Sequence, residues 1–284
     1  MIAPKPPNQL IVEPKKRFPA RRPHMTFIVG MKCSGGVVLC ADQLESDGVT
    51  KRYRQKITSV SEPEWGLCWA GSGTAYIVDR FSDKLKQMLK GKEYNRGAIE
   101  NDIEVCLELV RQSYSREHQI TLVLALFNSP HKKENDDSPP SSEYHLYKAS
   151  SDVGCVAPEK EYCCAGMDVT LASFVLANTH HWMMPVEHGI RLGLFVTALM
   201  KEYADGVGGS TDVFFYRADD PTWRPMTWSE VIVWESKISV DSFNESISRF
   251  WFDQPDNKNL DEMQAIIMRN KRVLGGVFEN PLDK

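Results

Sequence analysis

The chain has 284 residues, 42% hydrophobic and 25% charged, which is enough to bury the core of one large domain or two small ones. A net charge of −4 and a pI near 6.0 exclude the strongly basic surface that binds nucleic acid. No apolar run reaches the roughly 18 residues of a membrane span, and no apolar stretch follows the N-terminal basic residues as it would in a secretory signal.

Residues 1–25 hold six prolines and six basic residues against one acid, a composition that cannot bury enough surface to fold alone. They read as a flexible leader or propeptide of net charge +5, leaving −9 on the rest of the chain. From Thr26 two apolar β-branched runs, TFIVGMKC and GGVVLCAD, meet at a corner containing Gly35 and Gly36 and predict a hairpin. KITSV and GLCWAG predict two more strands, giving a first sheet of about four. Residues 74–90 and 98–116 space their apolar side chains as two successive amphipathic helices, with Gly91 as a stop signal for the first. ITLVLALF, YHLYKA and EYCCAG predict strands, the first two separated by a polar loop at 131–142 whose double proline keeps it out of the sheet. A second helical pair follows, with Leu171, Phe174 and Val175 in one helix and Val186, Ile190, Leu194 and Ala198 in the other, and then the strand TDVFFY.

Strands, two helices, strands, two helices and a strand form segregated runs, which predict an α+β protein rather than alternating βαβ units. Two facing sheets, each covered by its helix pair, make a four-layer αββα sandwich over residues 26–216. Residues 217–284 read as a C-terminal accessory segment, with Trp223, Trp228 and Trp234 and possible helices near 240–251 and 260–271. The seven cysteines are an odd number, nearly all in apolar runs, and read as reduced core residues of a cytoplasmic protein. Cys163 and Cys164 are adjacent, so they face opposite sides of any strand they share, and no zinc-ligand spacing occurs. His180, His181 and His188 follow a helix end and read as surface or capping groups.

Singly, Thr26 is a β-branched strand residue, Asp42 a strand-end acid, Lys56 a strand-edge lysine and Gly71 a turn or helix-entry glycine. Their order carries more. The segment TFIVGMKCSGGVVLCAD resembles the opening of proteasome β subunits, of the N-terminal-nucleophile (Ntn) hydrolase type, with Thr26 at the nucleophile and Asp42 at the structural carboxylate. Lys56 in QKITSV matches the lysine that partners the nucleophile, after a shorter loop, and Gly71 in WAGSGTA matches the oxyanion-hole glycine. The resemblance spans residues 26–216 and implies a threonine-type amide or peptide hydrolase that uses no metal or organic cofactor. It implies peptide or unfolded-protein substrates and a homo-oligomer, ring-shaped or otherwise closed. An ATP-driven unfoldase would be a separate partner, since the chain has no GxxxxGK[ST] phosphate loop of its own.

The implied chemistry requires Thr26 to be the first residue, because the α-amino group serves as its base. Cleavage of the Met25–Thr26 bond, or translation from Met25 followed by methionine excision, exposes it. The second half departs from the family pattern, with Met167 in place of a serine and Ala204 and Val207 in place of an aspartate and a serine. Those departures favour the alternative, a catalytically silent subunit with a structural or assembly role.

Overall fold

The computed structural model describes residues 26–46, 50–114, 118–128, 143–159 and 161–236. The leader, the 131–142 loop and the possible helices at 240–251 and 260–271 lie outside the described residues. The chain runs through β1 (Phe27–Cys33), β2 (Gly36–Asp42), β3 (Leu44–Ser46), β4 (Lys51–Tyr53), β5 (Thr58–Ser61) and β6 (Trp65–Gly73). It continues into α1 (Ala75–Leu89), α2 (Arg96–Ser113), β7 (Ile120–Asn128), β8 (Glu143–Ser150), β9 (Cys155–Glu159) and β10 (Tyr162–Gly166). The last described elements are α3 (Val169–Thr179), α4 (Val186–Tyr203), β11 (Thr211–Arg217), β12 (Asp220–Pro225) and α5 (Trp228–Glu235).

Two five-stranded sheets face each other, ordered β10-β1-β2-β11-β12 and β5-β6-β7-β8-β9, with β3 and β4 forming a separate ribbon. Helices α3 and α4 cover the first sheet and α1 and α2 the second, which completes the αββα sandwich. The strand alternation explains the layers. In β1, Phe27, Val29 and Met31 join the helix-side core, while Ile28 points between the sheets. Gly30 lies on that inner face where a Cβ would sit 2.6 Å from Leu146 and 2.8 Å from Val123, so the sheets close to a distance only glycine permits here. Cys163 faces the inter-sheet core and Cys164 the helix side, as their adjacency requires.

The expectation of one four-stranded first sheet is overturned. β1 and β2 belong to one sheet and β5 and β6 to the other, because β1 and β2 take long-range neighbours, β10 and β11. Beyond Tyr216, β12 pairs with β11 at the sheet edge, and Trp223 packs with Phe127 and Tyr216, whose rings stack at 4.0 Å. Helix α5 opens with a capping box at Thr227 and Glu230 and lies on α4, where the Arg191 guanidinium stands 4.5 Å from the Trp234 ring. All seven cysteines are free thiols, and six of them are buried. No described helix is long and apolar enough to cross a membrane. His180 caps the end of α3 but is buried rather than on the surface, its Nε2 2.8 Å from the Lys32 carbonyl.

Candidate active site

The β1–β2 register, with Cys33 opposite Gly36 and Ile28 opposite Ala41, carries the start of β1 to the end of β2. Thr26 therefore meets Asp42 through a short hairpin, with no long-range fit required. The Asp42 carboxylate is wholly buried and filled on both oxygens. Oδ1 accepts from the Phe27 N–H at 2.9 Å and the Lys56 ammonium at 2.9 Å, and Oδ2 accepts from the Leu44 and Gly208 N–H groups, each at 3.1 Å. Four donors match the four acceptor positions of an ionised carboxylate.

Lys56 enters from the segment leading into β5, on the opposite sheet. Its Nζ donates to Thr26 Oγ1 at 2.9 Å, Asp42 Oδ1 at 2.9 Å and the Leu44 carbonyl at 2.5 Å. Three acceptors for three N–H donors fit the charged ammonium. The lysine side chain is 6% exposed, and burial holds its pKa below the ordinary 10.5; Asp42, Glu45 and Asp212 oppose that shift. Thr26, itself 5% exposed, lines a cleft with Lys56, Gly71, Gly73 and Thr58. Across the cleft, Arg54 pairs with Glu45 and Asp79, each at 2.9 Å. β5 covers β6 only as far as Trp69, so the β6 edge at Gly71 has no strand partner on that side among the described residues. The structure thus brings Thr26, Lys56 and Gly71 to one cleft, with Asp42 wholly buried behind it and joined to it through Lys56.

No family model matches the chain. Its sequence is similar to the proteasome subunit beta of Nanoarchaeum equitans (strain Kin4-M), 26% identical over 170 residues, 59% of this chain and 81% of that protein. The solved structure of Anbu (ancestral beta-subunit) from Yersinia bercovieri matches with a TM-score of 0.63 at 14% identity, covering 81% of this chain and 98% of that one. The helical assembly of the Anbu complex from Pseudomonas aeruginosa matches at 0.58 and 12% identity, covering 81% and 97%. The chain has the proteasome-like Ntn-hydrolase fold.

Within this Ntn-hydrolase fold the second half of the chain reaches the site differently. The turn after β10 places the Met167 N–H 3.1 Å from the Thr26 carbonyl. Gly166 has φ +111°, and a Cβ there would lie 1.7 Å from that carbonyl oxygen, so no other residue fits. Asp168 takes a left-handed φ of 48° and begins α3. The Met167 side chain is half-buried, and Ala204 and Val207 are buried in the helix-side apolar core. Those three positions carry no titratable group.

One residue escaped the sequence reading. Asp212, second in β11, is 7% exposed; its Oδ2 accepts the Lys56 backbone N–H at 2.5 Å and its Oδ1 the Gln43 side-chain amide at 2.7 Å. Burial pushes its carboxyl above the ordinary 3.8, while the Gln43, Lys56 and Ile57 donors pull it back. The available signal was an acid inside the apolar strand TDVFFY, on the face that its neighbour Phe214 gives to the inter-sheet core.

Proposed function

We propose that this chain is a threonine-type amide hydrolase acting on peptides, with Thr26 as the N-terminal nucleophile once the residues before it are removed. The observation that carries the reading is the buried line Thr26 Oγ1, Lys56 Nζ, Asp42 Oδ1, with both contacts at 2.9 Å, opening on a cleft that Gly71 lines. Freed of Met25, the Thr26 α-amino group, with an ordinary pKa of roughly 7.7 to 8.0, takes the hydroxyl proton as Oγ1 attacks the substrate carbonyl. The Lys56 ammonium favours the alkoxide, and Asp42 holds the ammonium in place. The Gly71 N–H faces the oxyanion, a type of contact whose removal costs roughly 3 to 4 kcal/mol elsewhere. Collapse breaks the C–N bond, the amine leaves with the proton, and water then hydrolyses the threonyl ester.

The substrate is a peptide or unfolded polypeptide, the working unit a closed homo-oligomer, and delivery of folded substrates the task of a separate ATP-driven unfoldase. The helical assembly of the similar Anbu complex and the similarity to a proteasome subunit support an oligomer. The test compares chains starting at Thr26 and at Met1 on fluorogenic peptides, with Thr26→Ala as control. Turnover is expected only from the chain starting at Thr26, and N-terminal sequencing of native protein is expected to begin there. Equal background turnover in all three sinks the reading and leaves the silent subunit.

A further inference from the structure

Lys56 must cross from one sheet to the other to reach Thr26. It precedes β5 of the second sheet, whereas Thr26 and Asp42 belong to the first. Besides the ammonium itself and the Arg54 N–H on the Gln43 carbonyl at 3.1 Å, this segment is tied to the first sheet by Asp212 on β11, whose carboxylate accepts the Lys56 backbone N–H at 2.5 Å and is itself held by Gln43 at 2.7 Å. The β11–β2 register sets Asp212 opposite Ala41, one residue before Asp42, so the two carboxylates stand on neighbouring strands. Around the lysine, the charged and polar groups are Asp42 from β2, Glu45 from β3, Asp212 from β11 and the Thr26 hydroxyl. Cys40 stands on the strand next to Asp212.

We propose that Asp212 is the positioning residue of this site: it fixes the backbone at Lys56 so that the ammonium reaches Thr26 and Asp42, and supplies a second buried negative charge that keeps the ammonium protonated. The proposal builds on the pairing of Lys56 with Thr26.

The direct test is an NMR titration of lysine 13Cε in the full-length chain, with the Lys56 signal assigned by its loss in Lys56→Arg. In the parent, Lys56 titrates below 10.5. In Asp212→Asn it titrates lower again by about one pH unit, the effect of one nearby charge in a partly screened site. Asp212→Glu restores the charge and most of the shift. Should Asp212→Asn fail to fold, Gln43→Met loosens the same carboxylate and gives a smaller shift in the same direction. An unchanged Lys56 titration in the folded variant overturns the proposal.

The activity arm uses chains starting at Thr26. Asp212→Asn lowers kcat with little change in KM, because Asp212 does not line the cleft, and the alkaline limb of the rate profile moves down by the amount read in the NMR. A purely structural role would lower stability and leave that limb in place. If the parent shows no Thr26-dependent turnover, the hydrolase reading fails while the NMR titration still decides the role of Asp212.

Discussion

Asp42 and Lys56 meet the start of β1 with side chains, at the Phe27 N–H and the Thr26 hydroxyl, whereas the turns at 166–168 and 204–208 reach Thr26 and Asp42 with backbone amides. The side-chain region carries charge, is wholly buried at Asp42, and holds the Lys56 ammonium whose pKa burial lowers; the backbone region brings the Met167 and Gly208 N–H groups to the site, with Ala204 and Val207 packed in the apolar core. The difference separates chemistry from placement. Variants on the first side are expected to alter pH dependence, and variants on the second to alter stability and geometry alone.

The largest expected effect is an asymmetry within the charged region. Asp42→Ala leaves the buried Lys56 ammonium and three backbone N–H groups without their acceptor, and is expected to cost about 3 to 5 kcal/mol in chemical denaturation. Lys56→Met leaves Asp42 its three amide donors and is expected to cost about 2 kcal/mol. Equal losses would break the comparison, because they would mean that the amides do not support the charge.

Next in size is Gly166→Ala. Its Cβ collides with the Thr26 carbonyl and its φ of +111° resists a side chain, so a loss of about 3 kcal/mol is expected, measured by thermal unfolding. Turnover falls with it, but the pH profile of whatever activity remains keeps its shape.

A smaller effect follows from Lys56. Its lowered pKa means that the rate, which needs the ammonium, falls on the alkaline side at a pH below 10.5. The stability sign is the reverse. Burial penalises the charged form, so between the lowered pKa and 10.5 the unfolded chain binds the extra proton and stability rises with pH. Rate and stability profiles that fall together over that window would contradict the assignment. The smallest effect is expected at Asp168→Gly, where a left-handed φ of 48° suits glycine while chain entropy opposes it. A change of no more than about 0.5 kcal/mol, with unaltered turnover, fits a region that supplies only backbone.

The helices and most strands were legible because their apolar periodicities are strong; α1 and α2 fall within a few residues of the expected spans. The sheet partition was not. Both sheets are covered on both faces, so β1, β2, β6 and β7 are apolar over most of their length and nothing in their alternation says which strands share a sheet. The β3–β4 ribbon and β9 went unread because they are short and largely polar or exposed. In the site, Asp42 lies a hairpin away from Thr26 and is visible as a spacing. Asp212 is reached through a β2–β11 pairing across 170 residues, which no local pattern encodes. The necessity of Gly166 likewise exists only once Thr26 has been laid beside it.

Burial of the cysteines makes the interior chemically silent toward electrophiles. The Cys33 and Cys164 thiols are pushed up to about 12 and Cys106 to about 11 by burial, so they stay protonated at neutral pH. Cys155 alone stands exposed. With that residue changed to serine, an epoxide probe meets no exposed cysteine thiol. Covalent labelling of the chain starting at Thr26, located by peptide mapping and compared with Thr26→Ala, then reads the nucleophilicity of Thr26 without a peptide substrate.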